Sequence, residues 1–173
     1  MTTRLFGEPV RRREDPRLLT GRGRYLDDVG EGAFEAAFVR SPHAHARIRD
    51  IDVSTAIDVD GLVAIYTWED LPARLAEPLP LLIPHPALTH GRTAHPLARD
   101  VVRHVGEPVV MVVARDRYLA EDACALVEVD YEPLTPVVGI ERAVRAETLV
   151  HQDVPGNVGA HLVQEVRSAT GLG

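Results

Sequence analysis

The chain has 173 residues, of which 45% are hydrophobic and 26% charged, so it is long enough for one globular domain and too short for two large ones. The net charge of −7 argues against a nucleic-acid partner, and the single cysteine, Cys124, excludes an internal disulfide and the thiolate set of an iron–sulfur cluster. Because no stretch approaches the roughly 20 apolar residues of a membrane span and the first residues lack a signal-peptide core, we predict a cytoplasmic protein without a membrane partner.

Residues 1–28 carry little hydrophobic periodicity, mixed charge and many arginines. This composition predicts an extended N-terminal arm that docks on another surface. The stretch Gly21-Arg22-Gly23 lies within it, but no hydrophobic strand precedes these glycines and no helical pattern follows them. A glycine turn is therefore favoured over a phosphate-binding loop.

A β-β-α-β pattern occupies the next part of the chain. Two alternating stretches within residues 32–51 predict a pair of strands. Ser54 can cap a short helix over residues 55–59, and a third strand is predicted over residues 62–66.

A proline-rich loop is predicted over residues 72–97, because its six prolines are incompatible with a regular helix or a central strand. Loops of this length inside a compact domain tend to be functional or to form interaction segments. The leucines in this loop need to be covered by this domain or by a partner.

The strongest pattern lies in residues 101–134, which predict strand, strand, helix and strand in that order. The continuous apolar run over residues 109–114 is typical of a strand covered on both faces. Asp116 can cap the helix that follows, and residues 127–131 then alternate between apolar and acidic side chains. This repeats the β-β-α-β order of the first half, without a convincing repeat at the level of residues.

These elements predict an α+β fold with a duplicated β-β-α-β pattern and a mixed sheet. The predicted domain covers residues 29–158, between the arm at 1–28 and a flexible tail at 159–173. A short helix is predicted over residues 141–147.

The sequence gives only weak support for a metal site. His43 and His45 would project from one face of a strand, but no third ligand lies at a diagnostic spacing, so hydrogen-bonded or surface histidines are favoured. Cys124 falls beside the apolar stripe of the predicted helix, which favours a packed side chain over a nucleophile.

Four residues near the core stretch are candidates for acid–base chemistry: His104, Glu107, Asp130 and Tyr131. The alternating carboxylates over residues 127–132 are, however, also what a solvated strand face looks like. No nucleophile elbow, phosphate-binding loop or dinucleotide-binding fingerprint occurs in the chain. Composition and spacing alone therefore lead no further than an α+β domain.

Most of the chain resembles the N-terminal part of the large subunit of molybdenum hydroxylases, the family of xanthine dehydrogenase, aldehyde oxidase and aerobic carbon monoxide dehydrogenase. In that family this region is the α/β hammerhead domain. The matching segments follow the family order and are RREDPRLLTGRGRYLDD (12–28), FVRSPHAHARIRDIDVSTA (38–56), GLVAIYTWEDL (61–71), LARDVVRHVGEPVVMVVARDRYLAEDACALVEVDYEPLTPVV (97–138) and LVHQDVPGNV (149–158).

The resemblance implies that no cofactor is bound by this chain alone. Molybdopterin and the catalytic glutamate would belong to the larger domain that follows the hammerhead, and iron–sulfur and FAD groups to partner chains. The segment Val105-Gly106-Glu107-Pro108 matches one of the most recognisable features of the family, and no catalytic role is carried over to it. Two positions depart from the family pattern, since Val110 stands where alanine is common and RSATGLG (167–173) replaces a Gly-Asp segment.

Three hypotheses follow. The first is a hammerhead domain or small subunit of a molybdenum hydroxylase, assembled with a molybdopterin-binding chain and capable of homo-oligomerisation. The second is a stand-alone domain that runs a cofactor-free rearrangement or cyclisation with the four acid–base candidates. The third is a non-catalytic binding module or a truncated product.

Overall fold

The computed structural model describes residues 7, 9, 12–25, 32–91 and 93–164. The chain divides into two compact units, residues 1–33 and 34–173. In the first unit a short helix, α1 (Asp15–Leu19), occupies part of the predicted extended arm, so that prediction is wrong for these residues. Pro16 lies in the first turn, where its fixed φ suits a helix and its missing N–H is not needed.

In the described part of the second unit there are six strands, three helices and three short 3₁₀ turns. One helix of four residues lies inside the predicted proline-rich loop, so the prediction that excludes a regular helix there is wrong at residues 73–76. The strands are β1 (Glu35–Arg40), β2 (Ala46–Asp52), β3 (Leu62–Tyr66), β4 (Val101–Val102), β5 (Pro108–Ala114) and β6 (Glu128–Pro133). The helices are α2 (Ala73–Ala76), α3 (Arg117–Ala125) and α4 (Ile140–Arg145), and the 3₁₀ turns are Ala56–Asp58, Trp68–Asp70 and Pro155–Asn157. Among the described residues, no helix has the length and apolar character needed to cross a membrane.

The strands form two three-stranded sheets, ordered β1-β5-β3 and β4-β2-β6. Every pair of these strands is antiparallel, so the predicted mixed sheet is wrong. A strand–helix–strand unit within one sheet would place its two strands in parallel. Here α3 instead carries the chain out of one sheet, where β5 is central, into the other, where β6 is an edge strand.

The two β-β-α-β halves exchange their central strands. In the first half β1 and β3 flank β5, which belongs to the second half, while β4 and β6 of the second half flank β2. The predicted order of elements is confirmed, except that the helix of the first half is only the 3₁₀ turn Ala56–Asp58 and receives no side-chain cap. Each sheet therefore depends on both halves of the chain.

The hydrophobic core is centred on β5. Val109, Val110 and Val112 are fully buried, and Ala120 and Ala123 of α3 are buried as well. Asp116 accepts a hydrogen bond from the Leu119 N–H at 3.0 Å and caps α3, as the sequence predicts. The small alanine side chains leave room for the helix to approach the valine-rich strand closely.

The proline-rich segment is held by chain that follows it. Leu88 pairs with Ala160 as an isolated antiparallel bridge, and the N–H groups of Thr89 and His90 donate to the Gly159 carbonyl at 3.0 and 3.1 Å. At residues 159–161 the predicted flexible tail has paired backbone groups, and its flexibility stays a prediction. Residues 165–173 of that tail lie outside the described residues.

Candidate functional site

The turn between β4 and β5 is hydrogen-bonded to the residues that follow β1. The Ser41 N–H donates to the Glu107 carbonyl at 2.9 Å, and the Gly106 N–H donates to the Ser41 carbonyl at 2.8 Å. The Arg40 guanidinium donates to the Gly106 carbonyl at 2.9 Å. Gly106 has φ +88°, a conformation that favours glycine and lets the turn close against Ser41. Two motifs about 65 residues apart in the chain thus become one structural unit.

Glu107 holds this turn from within. Its side chain is almost fully buried, with 6% of the residue exposed. One carboxylate oxygen, Oε2, accepts a short hydrogen bond from the Arg103 N–H and lies 3.5 Å from Nδ1 of His104. A buried carboxylate needs such donors, because its charge is otherwise strongly disfavoured away from water. Glu107 is therefore a structural anchor of the turn.

Arg103 connects the turn to the segment that follows α4. Its Nε donates to the Val150 carbonyl at 3.2 Å and its Nη1 donates to the Val101 carbonyl at 3.0 Å. Val150 is positioned in turn by Asn157, whose Oδ1 accepts its N–H at 2.9 Å. The Asn157 amide also donates to the carbonyls of Ala143 and Thr148, at 3.0 and 2.9 Å. Two main-chain carbonyls thus fix the guanidinium.

A cavity of about 170 Å³ lies between this turn and the proline-rich segment. His95 contributes to its wall, and its Nδ1 is 2.9 Å from the Ala76 carbonyl. Since a carbonyl can only accept, Nδ1 carries the proton. The lining residues come from three parts of the chain and are Pro78, Thr93, Ala94, His95, Arg103, His104, Glu107 and His151.

The structure brings together two of the four residues predicted for acid–base chemistry. His104 and Glu107 lie in contact and line the cavity. Asp130 is exposed on β6, and Tyr131 is half-buried on the same strand; neither lines the cavity. The predicted solvated face of this strand agrees with the exposure of Glu128 and Asp130.

Tyr131 has a separate environment. Its ring lies 5.0 Å from that of His43, measured between centroids, and its hydroxyl is buried without a hydrogen-bond partner. Burial raises the pKa of the Tyr131 hydroxyl, and the nearby Ser41 hydroxyl, which is not in hydrogen-bond geometry with it, offsets part of that rise. The Ser41 hydroxyl is itself hydrogen-bonded to the backbone of His43.

The histidine and cysteine candidates take structural positions. His45 Nδ1 lies 2.8 Å from the Thr135 carbonyl, whereas His43 packs on Tyr131. Across the ranges that the structure describes, no three or more His, Cys, Asp or Glu side chains are arranged to hold a metal ion. Cys124 packs against the core, and burial, with a smaller effect of Glu121, raises the pKa of its thiol. A thiolate nucleophile is therefore disfavoured there.

Arg103, Ser41 and His151 are site residues that sequence reasoning missed. Arg103 stands directly before a candidate residue, but its partners are main-chain carbonyls, one of them 47 residues away. Ser41 is 2% exposed, yet in the sequence it appears only as part of a Ser-Pro break between strands. No spacing rule predicts such contacts, because a main-chain acceptor can belong to any residue type.

The lining of the cavity combines side chains that can donate hydrogen bonds with side chains that can accept a proton. It offers one guanidinium, one carboxylate and the imidazoles of His95, His104 and His151. The contact between His104 and Glu107 resembles an acid–base pair, although Glu107 is also committed to the turn.

Several known proteins are similar to this chain in sequence. The family model for "Aldehyde oxidase and xanthine dehydrogenase, a/b hammerhead domain" matches residues 20–135. The nicotine 6-hydroxylase large subunit of Paenarthrobacter nicotinovorans is 42% identical over 163 residues, covering 92% of this chain and 19% of that protein. The carbon monoxide dehydrogenase large chain of Afipia carboxidovorans is 40% identical over 154 residues, covering 87% and 18% respectively.

A solved structure of a related protein has a similar fold. Quinoline 2-oxidoreductase from Pseudomonas putida 86 superposes with a TM-score of 0.76 at 42% identity, over 87% of this chain and 19% of that chain. The chain spans about a fifth of the length of the curated relatives it matches.

Proposed function

Because the chain belongs to the aldehyde oxidase and xanthine dehydrogenase family, in which it corresponds to the a/b hammerhead domain, we propose that it serves a molybdenum-dependent hydroxylase or dehydrogenase. The family and the α/β hammerhead fold are both predicted from the sequence, and both are confirmed. In this proposal the hammerhead supports a molybdopterin-binding chain, and the oxidation belongs to the assembled complex.

An exposed apolar surface in the proline-rich segment supports the proposal that a partner chain docks on this domain. Residues 78–91 contain no charged side chain, and within them Leu82 is 97% exposed and Ile83 is 79% exposed. Exposed leucines and isoleucines at adjacent positions are typical of a surface that another protein covers. A partner that buries them gains roughly 25 cal/mol for each Å² of apolar surface removed from water.

The apolar segment is also held in shape before any partner binds. The Leu79 N–H donates to the Ala94 carbonyl at 2.9 Å, and the Thr93 hydroxyl donates to the Leu79 carbonyl. At the start of the segment, the indole N–H of Trp68 donates to the Ala76 carbonyl at 3.2 Å. A pre-organised surface loses less conformational entropy on association, which favours docking.

The cofactors are assigned to partner chains. This chain matches only about a fifth of the length of its curated relatives, which in this proposal leaves the cofactor-binding parts to the remaining four-fifths. We therefore assign molybdopterin, iron–sulfur and FAD groups to other chains and give no residue of this chain a step in their chemistry. When bound in the complex, the molybdenum group would supply hydroxylation of a carbon centre with water as the oxygen source.

The cytoplasmic location and the possible homo-oligomer stay predictions. A stand-alone acid–base enzyme is the second candidate function, and the contact of 3.5 Å between His104 and Glu107 at the cavity favours it. That enzyme would work without any partner chain. The two functions are therefore distinguished by whether a partner chain and molybdenum co-purify with this chain.

The test is affinity purification of the tagged chain from its native cells, with mass spectrometry of bound chains and quantification of molybdenum. We expect a large chain related to the remaining four-fifths of the curated relatives, together with stoichiometric molybdenum. The double variant Leu82→Asp/Ile83→Asp should recover at least tenfold less of it. Ile57→Asp, at a residue 58% exposed outside the segment, is the matched control. Recovery of the folded chain alone, without metal, would refute the proposal.

A further inference from the structure

Among the residues that the structure describes, none forms an ion pair with the Arg103 guanidinium. Arg103 is half-buried, and its two hydrogen bonds end on the neutral carbonyls of Val150 and Val101. A guanidinium has five N–H donors, so three remain beyond these two contacts. Partly buried charges are normally paired, which points to an anionic group supplied from outside.

Imidazoles surround the same cavity. His95 approaches from the proline-rich segment, His104 from the turn between β4 and β5, and His151 from the segment after α4. Because Nδ1 of His95 donates to the Ala76 carbonyl, Nε2 is the nitrogen left for a ligand. In its protonated form this nitrogen is a second cationic donor beside Arg103.

Glu107 is the opposing charge in the cavity. Its Oε2 is committed to the Arg103 N–H and to His104, and it stabilises the turn from inside. The carboxylate of Glu107 and the guanidinium of Arg103 contribute one charge each, so the protonation of the imidazoles decides the net sign.

We propose that this cavity binds a small oxyanion, either an inorganic anion of the sulfate or phosphate type or the carboxylate of a small organic acid. Its volume of about 170 Å³ is several times the roughly 30 Å³ that one water molecule occupies in the liquid, so a group of four or five heavy atoms fits. The planar guanidinium of Arg103 offers two parallel N–H donors, the geometry that carboxylates and phosphates accept. This site is independent of the hydroxylase assignment, because it requires only residues of this chain.

The experiment is calorimetric titration of the full chain with sodium sulfate at pH 6 and pH 8, with ionic strength held constant by sodium chloride. Sulfate keeps its charge over this range, so a change of affinity with pH belongs to the protein. We expect saturable binding of one anion, at least fivefold tighter at pH 6. Competition by phosphate or by formate then distinguishes the inorganic source from the carboxylate source.

Substitutions test which residues bind the sulfate ion. Arg103→Gln should weaken sulfate binding at least tenfold, whereas Arg99→Gln should leave it unchanged. Arg99 is the matched control, since its guanidinium lies 4.4 Å from the centre of the Trp68 ring and does not line the cavity. His95→Gln keeps Arg103 and should remove most of the gain at pH 6, which keeps the test decisive even if Arg103→Gln fails to fold. Absence of saturable binding at both pH values, or an equal loss in Arg99→Gln, would overturn the proposal.

Discussion

Replacement of Glu107 by alanine tests the view that this carboxylate holds the turn between β4 and β5. The substitution removes the acceptor of the Arg103 N–H and one buried methylene group, Cγ. A hydrogen bond to a charged group contributes about 1.5–3 kcal/mol, and each buried methylene about 0.8 kcal/mol. The contact with His104 adds little, because the His104 side chain is 60% exposed. We therefore expect the free energy of unfolding to fall by about 2–4 kcal/mol.

Urea denaturation of the full chain, followed by circular dichroism, measures this change. Glu107→Gln keeps the volume and one carbonyl acceptor, so it should cost only about 1 kcal/mol, the difference between a hydrogen bond to a charged group and a neutral one. His104→Gln removes only the exposed side of the contact and should cost less than about 0.5 kcal/mol. Equal losses for the alanine and glutamine variants of Glu107 would show that the carboxylate does not anchor the turn.

Three further substitutions test other parts of the structure. Tyr131→Phe removes a buried hydroxyl that has no hydrogen-bond partner, so thermal unfolding should show unchanged or slightly raised stability, by up to about 1 kcal/mol. Asn157→Ala removes the hydrogen bond from the Val150 N–H and the two hydrogen bonds that the Asn157 amide donates to carbonyls, at a residue with φ +54°. Urea denaturation should show that the free energy of unfolding falls by at least about 2 kcal/mol. Asn157→Gly should recover the part of this loss that is due to backbone strain, because glycine adopts positive φ readily. Hydrogen bonds from the Ser54 side chain and then its N–H lower the pKa of the Asp52 carboxyl, so their contribution is present above about pH 4 and is lost as the pH falls through the lowered value. The urea midpoint of Asp52→Asn should accordingly fall less between pH 5 and pH 3 than that of the unsubstituted chain.

Local features of the fold are predictable from the sequence because they depend on neighbours along the chain. Asp116 caps α3 through a residue three positions away, and the valine run of β5 predicts its own burial. The same holds in the site, where His104 and Glu107 meet because they are three residues apart in one turn. Tyr131 was grouped with them because it follows in the same core stretch, but α3 carries the chain into the other sheet before β6 begins.

The contacts of Arg103 show why the rest of the site was not predictable. Its Val150 acceptor is positioned by Asn157, a residue seven positions further on that adopts a left-handed conformation. The sequence contains all three residues, but nothing in their spacing indicates that the segment returns to β4. Every residue has a main-chain carbonyl, so the residue type does not indicate which carbonyl accepts a hydrogen bond. These contacts are therefore known only from the folded structure.

The amino-acid sequence by itself determined the succession of elements, because strand and helix periodicities, caps and proline breaks act over a few neighbouring residues. It therefore contained the two β-β-α-β halves and the family resemblance. Only the tertiary structure decided that the halves exchange their central strands, β5 passing between β1 and β3 and β2 between β4 and β6. Strand pairing depends on which distant surfaces bury the most apolar area together, and that choice is made across the whole chain. The cavity around Arg103 forms between segments that this long-range packing brings together.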